Sequence, residues 1–174
     1  MKKNIIAAAI AVSAILSASN AFSAAGQVHF TGEIIDAGCD VVNNVSNPLE
    51  VVLGRVAKSE FTQSGDTAGA QDFTIQLINC PVTSSTARIS FDGDALANDP
   101  QYLQLTQVAG VAQGVGIQLS DIAGVLPLRQ PSAYYNVLAA PAVNNLVFTA
   151  RYKSVGTVVP GPADAVASFS VLYN

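Results

Sequence analysis

Toward its end the chain alternates with a period of two. Ala165, Ala167, Phe169, Val171 and Tyr173 share one face of an extended strand, and Val166, Ser168, Ser170 and Leu172 share the other. That alternation predicts a half-buried β-strand. Near the other end Val28, Phe30, Gly32 and Ile34 alternate with His29, Thr31 and Glu33. A final strand with an apolar face and nothing after it needs a neighbour from elsewhere. A second alternating strand at the opposite end is available as a partner. The pair suggests a subunit that polymerises by donating a strand.

Between these ends the same pattern recurs in short pieces. Gln27–Ile35 is the first predicted strand, and Leu49–Leu53 follows Asn47-Pro48 and stops at Gly54. Phe73, Ile75 and Leu77 alternate with Thr74, Gln76 and Ile78 and run to Cys80-Pro81. Ala87–Phe91 ends at Asp92-Gly93-Asp94, and Tyr102, Leu103 and Leu105 follow Asn98-Asp99-Pro100. Val115, Ile117 and Leu119 end at Ser120-Asp121; Leu146–Lys153 places Leu146, Phe148, Ala150 and Tyr152 on one face. Residues 59–69 read as a polar loop or crossing, and 156–162 as a turn. No helical period of useful length appears among these segments. Short strands punctuated by Gly, Pro, Asn and Asp predict an all-β sandwich.

Residues 1–23 read as a signal peptide. Lys2 and Lys3 begin it, Ile5–Leu16 form its apolar run, and small residues from Ser17 to Ala24 offer cleavage sites. The run is shorter than the roughly 20 residues a membrane-spanning helix needs. About 150 residues then remain, enough for one domain with its own core. Loss of the two leader lysines would take the formal charge from −4 to −6. Scattered basic residues on an acidic chain argue against a nucleic-acid partner.

Two cysteines, Cys39 and Cys80, predict a single disulfide in an exported protein. It closes a loop of about 40 residues, for which a chain-entropy model gives roughly 4 kcal/mol. Their spacing does not suit a bridge between the two sheets of an immunoglobulin domain, and there is no tryptophan. A bridge from the end of the first strand to the end of the Phe73–Asn79 strand fits better. Neither cysteine lies in a Cys-x-x-Cys motif and His29 is the one histidine, so a redox or metal pair is disfavoured. The same count leaves the serines without a histidine for a triad. Gly114-Val115-Gly116 is a glycine-bearing β-segment, not a phosphate fingerprint. No catalytic residue and no cofactor are expected.

Several segments together resemble the chaperone–usher pilins of the type 1 fimbrial family, most of all the major rod subunit. They are 26–35 (Gly-Gln-Val-His-Phe-Thr-Gly-Glu-Ile-Ile), Cys39, 52–54 (Val-Leu-Gly), 73–77 (Phe-Thr-Ile-Gln-Leu) and Cys80. The match goes on through 116–119 (Gly-Ile-Gln-Leu), 148–152 (Phe-Thr-Ala-Arg-Tyr) and Pro160-Gly161. Gly161 and Tyr173 stand where the family's C-terminal glycine and penultimate tyrosine fall.

The resemblance implies an incomplete immunoglobulin-like sandwich lacking its last strand, at residues 36–174. Residues 24–35 become an N-terminal donor-strand extension, with Val28, Phe30, Gly32 and Ile34 as its inward row. The groove is edged by the C-terminal strand through Gly161, Ala167, Phe169, Val171 and Tyr173. The implied partners are a periplasmic chaperone, an outer-membrane usher, and identical or related subunits added head to tail on a surface fimbria. Few residues precede Gly26, so the extension is short. Competing readings are a minor or adaptor subunit and a self-contained secreted β-sandwich binding module.

Overall fold

A computed structural model describes residues 28–32 and 38–174. The leader, residues 24–27 and Ile34 lie outside the described residues. The chain divides into two units, Met1–Ile34 and Ile35–Asn174. In the first unit, Val28–Gly32 carry no strand pairing.

The second unit is built of antiparallel strands. They are β1 (Asp40–Val41), β2 (Thr67–Ile78), β3 (Thr86–Asp92), β4 (Ala95–Leu96), β5 (Asp99–Leu103), β6 (Gln113–Asp121), β7 (Gly124–Val125), β8 (Tyr135–Asn136), β9 (Asn144–Val159) and β10 (Ser168–Tyr173). One sheet runs β1-β2-β9-β6-β5-β4, with β7 also on β6; the other runs β10-β3-β8. Ile75 and Leu77 of β2, Val115, Ile117 and Leu119 of β6, and Leu146, Phe148 and Ala150 of β9 are buried from the first sheet. Ala87, Ile89 and Phe91 of β3 meet them from the second. The rings of Phe91 and Phe148 cross edge to face at 5.2 Å, which joins the two layers. Alternation on β3 and β9 thus buries one row against the facing sheet, as in an immunoglobulin-like sandwich, whereas the central strand β6 is buried on both rows from Val115 to Ser120.

The Cys39–Cys80 disulfide is present. Cys39 precedes β1 and Cys80 follows β2, and these strands pair as neighbours through Asp40↔Ile78 and Val41↔Leu77. The bridge therefore ties the start of β1 to the end of β2 within one sheet. The expected partner for the Phe73–Asn79 strand is the end of a first strand at Gln27–Ile35, of which the described residues Val28–Gly32 form no ladder.

Several expectations are corrected. Leu49–Leu53 forms no ladder, although its alternation survives as half-buried Val51 and Leu53 around exposed Val52. The loop at 59–69 is shorter than expected. A 3-10 turn covers Lys58–Glu60 and β2 already begins at Thr67, with an irregularity between Ala68 and Gln71. Asp99-Pro100 opens β5 rather than breaking the chain. The reversal is made by Ala97 and Asn98, both at positive φ (52° and 64°), between Leu96 and its partner Asp99. Finally, β9 continues through Gly156 to Val159, because Val159 pairs with Gln113 and Val158 is buried.

Candidate functional site

On one side β10 pairs with β3, from Ser168↔Asp92 to Tyr173↔Ala87, and on the other it has no partner among the described residues. Its inward row, Ala167, Phe169, Val171 and Tyr173, packs on the core but remains half-exposed. One strand further in, Ala87, Ile89 and Phe91 are buried. Burial therefore falls off across a single strand spacing of about 4.8 Å. The half-exposed row continues upstream through Ala163 and Ala165. An unpaired edge beside an apolar row is a template for another strand.

The facing wall comes from the first segment of the unit. Val42 N–H donates to the Gln76 carbonyl at 3.0 Å, after which the chain leaves the ladder. At one end the walls meet. The Tyr173 hydroxyl donates to the Cys39 carbonyl at 3.2 Å. A Cβ on Gly38 would overlap the Tyr173 ring, so glycine permits that contact. Burial, then the nearby Asp40 charge, pushes the Tyr173 phenol above its ordinary pKa.

At the other end the walls part around a cavity of about 360 Å³. Arg55, Val56, Tyr152, Gly161, Ala163 and Asp164 are among its lining residues. Here the chain crosses from β9 toward β10. Ala112 N–H donates to the Pro162 carbonyl at 2.9 Å, Thr106 N–H to the Asp164 carbonyl at 2.8 Å, and the Tyr152 hydroxyl to the Ala163 carbonyl at 3.1 Å. A Cβ on Gly161 would strike the backbone of Gly110, Val111 and Ala112. Gly161 is thus required by a close backbone crossing rather than by turn geometry.

The structure places Phe169, Val171 and Tyr173 on β10 at one sheet edge with Ala167 just before it, and Gly161 apart from them at the crossing against 110–112. Phe169 ties that edge to the core, its ring 6.2 Å from Phe91. Sequence reasoning missed Gly38, the 54–56 wall and the 110–112 backbone, whose role is positional and leaves no periodic signal. Of the expected donor residues, Val28 and Phe30 are 76% and 93% exposed. Gly32 is exposed as well.

A family model described as fimbrial protein matches residues 28–174. The chain belongs to the fimbrial protein family. It is 37% identical to the long polar fimbria protein A of Salmonella typhimurium, over 100% of this chain and 98% of that one. The type-1 fimbrial protein A chain of Escherichia coli is 37% identical over 86% of this chain and 83% of its own length. The P pilus rod subunit PapA superposes with a TM-score of 0.65 at 21% identity, over 79% of this chain and all of that one, and shares the fold. This fimbrial protein is accordingly a structural subunit and not an enzyme. Its fold is an open antiparallel sandwich lacking closure, and its destination is a surface pilus.

Proposed function

We propose that this fimbrial subunit polymerises head to tail, with residues 24–35 of one copy laid along β10 of the next. In this reading residues 1–23 are removed on export and residues 36–174 form the receiving domain. Val28, Phe30, Gly32 and Ile34 face the groove. Ala167, Phe169, Val171 and Tyr173 line one side of it, and Gly161 fixes the crossing at its open end. The observation that carries the reading is the half-exposed apolar row along the edge of β10 that has no partner among the described residues. Covering such a row gains about 25 cal/mol per Å² of apolar surface, and the added strand pairs free backbone groups. The same exposure makes an uncovered subunit prone to aggregate, which is the physical case for a periplasmic chaperone that fills the groove first. An outer-membrane usher then presents the subunit for exchange. The interface is heterologous, so addition extends without closing.

Gly32→Asn and Phe30→Asp test the donor role. If Val28–Ile34 serves a neighbour, both variants leave periplasmic subunit at normal levels and remove surface fimbriae. An added side chain at Gly32 overpacks the receiving groove, typically by about 1–3 kcal/mol. Parallel loss of subunit and fimbriae would instead make the segment an ordinary first strand of its own domain.

A further inference from the structure

We propose that the loop 137–143 is a docking surface for the adjoining copy of this chain, at the pole where the donor segment leaves the domain. The inference rests on the donor-strand reading and adds a second contact to it. The loop reads Val-Leu-Ala-Ala-Pro-Ala-Val, without one polar side chain. Leu138 is 67% exposed and Val143 55%, and Val82, on the adjoining 81–85 loop, is 88% exposed. Val137 is buried in the core, and Ala139 and Ala142 are half-buried. The exposed apolar surface is therefore that of Leu138, Ala140, Pro141 and Val143, and such clustered apolar exposure marks an interaction surface more often than a stability device.

The loop is also built to hold this shape. Asn144 is buried, and its amide serves the loop from within. Its Oδ1 accepts from Leu138 N–H at 2.8 Å, and its Nδ2 donates to the Leu138 carbonyl at 2.9 Å. The same Nδ2 lies 3.4 Å from the Cys80 sulfur. Ala140 N–H donates to the Cys80 carbonyl at 3.0 Å. The loop is thereby fastened to the disulfide, and through it to Cys39.

Chain length then identifies the occupant. Four residue steps separate Ile35, the end of the donated segment, from Cys39. At no more than about 3.6 Å per residue they span at most about 14 Å. The copy that receives the segment must lie that close to Cys39. A standard interface covers about 800 Å² per partner, a patch about 30 Å across. A patch of that size starting at Cys39 takes in the loop fastened to Cys80. The adjoining copy therefore covers Leu138, Val143 and Val82, and the junction is a surface contact as well as a threaded strand.

Hydroxyl-radical footprinting tests this without any substitution. The mature subunit, its groove filled by a synthetic peptide of residues 24–35, is compared with assembled fimbriae. Leu138 and Val143 are expected to react freely in the monomer and to lose that reactivity in the fimbria, to the level of buried Leu146. Phe30 of the chain is followed in the same samples. Protection of Phe30 with Leu138 and Val143 still reactive overturns the docking surface and leaves strand donation standing. Phe30 unprotected in the fimbria overturns strand donation, and this inference with it. Leu138→Asp supplies a second measurement. It is expected to leave binding of the 24–35 peptide unchanged and to lower subunit polymerisation; unchanged polymerisation, or lost peptide binding, counts against the proposal.

Discussion

Gly161 and Gly156 are neighbours along the chain with opposite requirements. A Cβ at Gly161 would meet three backbone groups that cannot move aside, whereas one at Gly156 meets nothing within 4 Å. Gly161→Ala should therefore destabilise the domain by about 1–3 kcal/mol, the usual range for overpacking. Gly156→Ala should be neutral or slightly stabilising, since alanine restricts the unfolded chain. Urea unfolding midpoints of the two variants check this, and equal midpoints would remove the crossing argument. Tyr135 sets a pH limit. Its hydroxyl donates to the Val147 carbonyl at 2.7 Å. Burial, then the Asp121 charge, raises its pKa from 10.0 to about 12. The folded state thus holds the phenol proton more tightly than the unfolded chain does. The associated stability is complete below the unfolded pKa and is lost as pH rises from 10.0 toward about 12. Urea midpoints should fall across that window, and less steeply in Tyr135→Phe. A midpoint constant to pH 12, or an identical slope in the variant, would contradict the assignment.

Among the elements, the first two strands of the large sheet depend on their staple. Two ladder pairs join β1 to β2, hydrogen bonds linking Val42 and Asn43 to Gln76 and Asn79 to Asp40 extend that contact, and the disulfide closes its end. Replacing both cysteines by serine should cost about 4 kcal/mol by the chain-entropy argument and lower periplasmic yield. Unchanged stability under oxidising conditions would refute it. Most of these elements were legible in the sequence where residue type alternates with a period of two, as in 73–78, 87–91, 115–119 and 146–153, although at 115–119 the intervening Gly116 and Gln118 are buried as well. The expected row at 165–173 keeps its alternation, although pairing begins only at Ser168. The misreadings share a cause. At Gly156 a glycine reads as a turn, yet long-range pairing of Val159 with Gln113 holds it extended. At Leu49–Leu53 alternation reads as a strand, but no ladder partner lies beside it among the described residues. The row along β10 was legible in the same way. The close contacts at Gly38 and Gly161 were not, because they depend on which distant backbone passes by.

At the scale of the whole molecule, the half-exposed apolar row beside β10, which has β3 as its one ladder partner among the described residues, leaves the sandwich short of cover on that side. The central claim is that the cover is a strand from another copy, residues 24–35. The most direct measurement is thermal unfolding of residues 36–174 with and without a synthetic peptide of residues 24–35. A peptide at about 100 times its Kd contributes roughly 2.7 kcal/mol to the folded state. A clear rise in Tm is expected with that peptide and none with its Phe30→Asp form. The same Tm with either peptide, or with no peptide, would contradict it.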